Sequence, residues 1–155
     1  MERIPGTLPG LTGRLPIGGA FQMGDALCPV TEIQAPSSLR ECRRLRKIVC
    51  RLASATFGTS DAVEDVELAL GEAFSNAVKY GSARTISVRV KTRPGRLLAL
   101  ELVYPGRRFD TEVTRPPDMR GADGGFGRLL MKQVMDSMEY YFRDGRTTVR
   151  MTKKP

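Results

Sequence analysis

Two helical repeats run back to back between Ser38 and Gly81, and after Gly81 the apolar spacing drops from about 3.6 residues to about 2. That switch most restricts the fold. Ser38 with Glu41 three residues on makes a capping-box pattern at the start of the first helix. Leu39, Cys42, Leu45, Val49 and Leu52 mark its apolar face, and Gly58 ends it. A second helix is expected over 60–80, with Asp61 and Glu64 in its first turn and Gly81 at its end. Before the pair, Pro29 to Gln34 reads as a short strand with Val30 and Ile33 as its apolar members. After it, Ile86, Val88 and Val90 alternate with polar residues, Arg93 to Arg96 turns, and Leu97 to Tyr104 is apolar enough for a central strand. Gly106 to Gly125 is a long Pro- and Gly-rich loop, and Gly127 to Met138 returns to helical spacing. Glu139 to Phe142 and Thr147 to Thr152 flank Asp144-Gly145, a hairpin signal. The order β-α-α-β-β-loop-α-β-β predicts an α+β fold, a two-layer sandwich with a mostly antiparallel sheet and three helices on one face.

Residues 1–25 hold Pro5, Pro9, Pro16 and six glycines with no surviving period. They read as a flexible N-terminal arm, dispensable for folding, ahead of one domain over 26–155. No apolar run reaches the length of a membrane span or a signal sequence, so a cytoplasmic protein without a membrane partner is expected. Cys28, Cys42 and Cys50 lack metal-site spacing and read as ordinary thiols. The absence of histidine removes Ser-His-Asp catalysis and a histidine phosphoacceptor. The net charge of +8 suits an acidic partner or phosphates. The basic cluster at Arg40, Arg43, Arg44, Arg46 and Lys47 has no interleaved aromatic residues, which disfavours nucleic acid.

The chemistry concentrates in two places. On a helical wheel of the second helix, Val63, Val66, Leu70, Ala73 and Ala77 lie on one side. Asp65, Glu72, Asn76 and Lys79 form a narrow line opposite, which reads either as solvated surface or as a ligand face. Gly124-Gly125-Phe126-Gly127 then leads straight into a helix, where free backbone N–H groups suit phosphate.

Together these motifs resemble the GHKL superfamily of ATP-binding domains, and within it the anti-sigma factor serine kinases. The N-box of that group is matched by Glu72-Ala-Phe-Ser-Asn76, its later glycine box by Gly125-Phe-Gly127-Arg-Leu-Leu, and its closing strand by Gly145 to Met151. The resemblance implies the histidine-kinase-like ATPase sandwich, with ATP and Mg²⁺ as cofactors. It makes Asn76 the residue holding Mg²⁺ and Glu72 the general base. Gly125 and Gly127 would let backbone amides approach phosphate, with Lys79 and Gly106 in the nucleotide-binding set. Thr147 or Thr148 would lie at the adenine edge. It also implies a sigma factor or an anti-anti-sigma (STAS-type) protein as partner, and a homodimer formed near the first strand and helix.

One position departs from the pattern. The first glycine box usually opens with an Asp that accepts the adenine amino group, and Tyr104 stands there. Gly106, Phe109 and Asp110 still fit. Two functions therefore remain open: a Mg-ATP-dependent serine kinase, or a protein-binding module of the same fold with weak or lost nucleotide binding.

Overall fold

The computed structural model describes residues 30–58, 61–82, 84–106, 108 and 126–155. Among the described residues, five strands and three helices follow the order β1 (Val30–Pro36), α1 (Leu39–Phe57), α2 (Asp61–Tyr80), β2 (Thr85–Arg93), β3 (Leu97–Pro105), α3 (Phe126–Val134), β4 (Ser137–Arg143), β5 (Arg146–Lys153). The sheet order is β1-β2-β3-β5-β4 and every pairing is antiparallel. This is the expected α+β sandwich, with β3 in the centre as its apolar run predicts.

Register decides what each strand contributes. Ile33, Ala35, Ile86, Val88, Val90, Leu98, Leu100, Leu102, Val149 and Met151 point to the helices and form one core with Leu45, Val49, Val66, Leu70 and Phe74. At the β4–β5 turn, Asp144 and Gly145 both take positive φ, 51° and 70°. That is the backbone a two-residue hairpin needs.

Four readings need correction. Val30 is 52% exposed and faces away from the core, because β1 runs on to Pro36 and Ala35, not Val30, joins Ile33 inside. Leu39 is 62% exposed, since the apolar face of α1 begins only at Cys42. Met138 belongs to β4 and pairs with Met151, because the Asp136 N–H donates to the Thr152 carbonyl instead of continuing α3. Half of the capping box forms: the Glu41 N–H donates to Ser38 Oγ, but the Glu41 carboxylate accepts from Arg44 Nε at 2.8 Å. The Ser38 N–H is taken by the Pro36 carbonyl.

The placement of α3 matters most for function. Lys153 Nζ donates to the Val134 carbonyl at the C-terminal end of α3 at 2.7 Å and lies 2.8 Å from Asp65 Oδ2 on α2. A cation there suits the negative end of the helix dipole. At the other end, Gly127 lies against Glu72. Two members of the polar line of α2 thus meet the ends of α3, Asp65 through Lys153 and Glu72 directly at Gly127.

Candidate functional site

The site is built where α2, α3 and the upper ends of β3 and β5 converge. Glu72 and Asn76 stand one turn apart on α2, both half-buried, so they project to the same side. Any Cβ placed on Gly127 would collide with Glu72 Oε2. A side chain at this position would oblige the Glu72 carboxylate, the free end of a flexible side chain, to move aside. The glycine lets a carboxylate sit over the first turn of α3, where unpaired backbone N–H groups point outward. Glu72 meets this helix start, and Asn76 stands one turn further along α2, half-buried.

The second half of the site surrounds Tyr104. Its cross-strand partner is Thr147, and Gly106 follows it. A Cβ on Gly81 would lie 3.0 Å from Tyr104 Cδ2, and one on Gly106 would lie 3.4 Å from Cε2. The ring edge is thus held between two glycines and is 3% exposed. Backbone bonds lock this arrangement: Ser82 N–H donates to the Pro105 carbonyl at 3.0 Å, and Gly106 N–H to the Gly145 carbonyl at 3.0 Å. Gly81 closes α2 with its N–H on the Ala77 carbonyl.

Register separates the two threonines. Thr147 lies on the helix side, fully buried, with its Oγ1 lacking a hydrogen-bond partner, 3.1 Å from where a Gly106 Cβ would be. Thr148 pairs with Val103 and Tyr141 on the opposite face and is not part of the site. Lys79 is exposed, its ammonium 5.3 Å from the Tyr80 ring centroid. Gly125 lies outside the described residues. Sequence reading overlooked Arg128, Tyr140 and Gly81. Arg128 stood inside the quoted glycine box, and its charge acts on both Tyr104 and Tyr140.

Burial dominates the electrostatics. It pushes the Tyr104 phenol up to about 12, with Arg128 opposing. Burial also raises Tyr140, helped by the neighbouring Tyr104 phenol and opposed by Arg128. Burial raises the Cys42 thiol beside Arg46 and Glu72, which makes it a packing group and not a nucleophile. For the phenols the sign is that of a raised acid. The stability they contribute is fully present below their ordinary value near 10 and is lost as pH rises toward about 12. Tyr104→Phe keeps the ring but removes one ionisation. Denaturant midpoints at about pH 8 and about pH 11 should therefore fall less steeply for the variant than for the native chain. Equal losses would contradict a buried phenol.

The arrangement suits an anionic, phosphate-bearing ligand at the α3 end. The helix start offers backbone N–H groups, with the Glu72 carboxylate in the space beside Gly127 and Asn76 one turn further along α2. At the β3–β5 end an unpartnered hydroxyl, Thr147 Oγ1, waits beside a ring that takes up the neighbouring space. Among the described residues no cluster of three His, Cys, Asp or Glu side chains exists.

A model of the histidine kinase-like ATPase domain matches residues 35–153. Serine-protein kinase RsbW of Staphylococcus aureus strain MSSA476 is 28% identical over 135 residues, covering 79% of this chain and 84% of that protein. The protein of the same name from strain JH9 matches to the same extent, 28% over 135 residues. The crystal structure of the RsbU and RsbW domains of Rv1364c from Mycobacterium tuberculosis resembles this fold with a TM-score of 0.59 at 18% identity. It covers 81% of this chain, while this chain spans only 32% of that one.

Proposed function

The chain belongs to the histidine kinase-like ATPase family, and from that premise we propose that it is an anti-sigma factor-like serine-protein kinase that uses Mg-ATP to phosphorylate an anti-anti-sigma partner. The observation that carries this reading is the seating of Glu72 over Gly127, with Asn76 one turn away. The similarity to serine-protein kinase RsbW supports the direction of transfer, toward a protein hydroxyl.

In this mechanism Asn76 would hold Mg²⁺, and the first turn of α3 would receive phosphate through its backbone N–H groups. Bound Mg-ATP supplies the phosphoryl group. Glu72 accepts the proton of the attacking serine hydroxyl, and its position is fixed by contact with α3. Thr147 offers its Oγ1 to the base end of the ligand, and Thr148 does not. Exposed Val30 and Leu39, on the edge strand and at the start of α1, support a homodimer through that side.

A second reading is favoured by one observation, the packing of Tyr104 between Gly81 and Gly106. On that reading the domain has given up nucleotide and acts by protein contact alone. A thermal shift separates the two. Mg-ATP at 100 times its Kd adds about 2.7 kcal/mol, which is roughly 5–10 °C in a domain of this size. That rise is the expected result, and no shift at millimolar Mg-ATP would favour the binding module.

A further inference from the structure

α3 is short and lightly buried. It spans nine residues, Phe126–Val134, of which only Met131 is fully buried. A helix of this length is marginal by itself, so its place is set by what holds it to its neighbours. Two contacts with α2 do so, one at each end. At the C-terminal end Lys153 Nζ donates to the Val134 carbonyl at 2.7 Å and meets Asp65 Oδ2 at 2.8 Å. At the N-terminal end Gly127 lies against Glu72. The spacings match: Asp65 to Glu72 is seven residues along α2, and Val134 back to Gly127 is seven residues along α3. At about 1.5 Å per residue both intervals are roughly 10 Å. The two helices therefore run antiparallel in a common register, and each contact fits only if the other is made.

The Lys153 contact is the firmer of the two. Lys153 belongs to β5 and pairs with Leu98 of the central strand, so its backbone is fixed in the sheet. Its side chain is 16% exposed and that of Asp65 30%, which shelters the pair from much of the screening that weakens a surface ion pair. The Val134 carbonyl is one of the last in α3, which the helix itself leaves unbonded. One ammonium thus ties β5, α2 and α3 together. The chain just beyond α3 is also fastened, by the Asp136 N–H on the Thr152 carbonyl, but that bond lies past the helix end and does not tie it to α2. At Gly127 a flexible carboxylate rests against a helix turn and gives no comparable hold. We propose that Lys153 and Asp65 are positioning residues for Glu72, holding α3 in the one register that brings Gly127 opposite the carboxylate. The assignment rests on Glu72 serving as the base of the proposed transfer. A slip of one residue moves α3 by about 1.5 Å and turns it by about 100°. Phe126 or Arg128 then replaces Gly127, and either side chain claims the space of Glu72 Oε2, as a Cβ on Gly127 already would.

The test is a double-mutant cycle on the full chain, read as phosphate release from Mg-ATP with water in place of the serine hydroxyl. Lys153→Met keeps the apolar stem and removes the ammonium, and its kcat should fall at least about ten-fold, since a misplacement of about 1 Å is enough for that. Asp65→Leu, which removes only the tie to α2, should fall likewise and serves if Lys153→Met does not fold. Lys153→Arg keeps a donating cation and should stay within about three-fold of the native rate. In a Glu72→Gln background, Lys153→Met should change the rate by less than about three-fold, because no base is left to misplace. An equal fall in both backgrounds would overturn the proposal. A second readout needs no activity: the nuclear Overhauser contact between the Gly127 α-protons and the Glu72 β-protons. It should be present in the native chain and in Lys153→Arg, and lost in Lys153→Met and Asp65→Leu. Its survival at native strength in both of the latter would overturn the proposal. A native chain that releases no phosphate from Mg-ATP would defeat the kinase reading instead, and the Overhauser contact would still decide the register.

Discussion

Glu72→Gln will lose phosphoryl transfer by roughly 10²–10⁴-fold while Mg-ATP affinity stays within about three-fold. A general base acts on the attacking hydroxyl, so its removal leaves ground-state binding nearly intact. The glutamine keeps the volume of the side chain against Gly127, which isolates the proton-accepting role. Gly127→Ala reaches the same end by geometry. Its Cβ must drive the Glu72 carboxylate aside, and a misplacement of about 1 Å costs on the order of 10²-fold. Transfer rates and calorimetric affinities measured together check both variants. A parallel loss of affinity in Glu72→Gln would assign the carboxylate to metal or phosphate binding and not to base catalysis.

Tyr104→Asp will pull the two properties of the site in opposite directions. The ring belongs to the main core and is 3% exposed, so replacing it by a small polar residue costs about 3–5 kcal/mol of stability. The carboxylate supplies the acceptor that the family pattern places there, and a good buried bond of about 1–3 kcal/mol tightens Mg-ATP roughly ten-fold or more. Mg-ATP should therefore restore much of the lost stability in the variant. Tyr104→Phe keeps the packing, lacks the acceptor and should show neither effect. Denaturant midpoints with and without Mg-ATP read both quantities. A Tyr104→Asp chain that Mg-ATP fails to stabilise would mean that the base end has been closed by more than this one ring.

The period switch after Gly81 made the α+β class legible, because helix and strand periods come from backbone geometry alone. Boundaries were less legible. Leu39 and Val30 carry the right period but sit at element ends, where no neighbour covers them. Met138 fits the helical spacing, yet pairing with Met151 claims it for β4. The site followed the same division. Spacing of four put Glu72 and Asn76 on one side, but a wheel does not say that α3 lies against it. The choice between Thr147 and Thr148 needed the register with β3, since adjacent strand residues face opposite ways. The ion pairs of Glu101 were half visible: it is the lone charge in an otherwise apolar strand, which marks a partner without naming it. Arg89 and Arg150 become its partners only through strand pairing.

The nucleotide reading rests on Mg-ATP binding at the α2–α3 junction. Isothermal titration of Mg-ATP into the native chain and into Asn76→Ala tests it most directly. Saturable, metal-dependent binding to the native chain is predicted, weakened at least about ten-fold by Asn76→Ala or by chelating the metal. No binding heat in the native chain or in Tyr104→Asp would contradict the kinase account and leave a domain that works by protein contact.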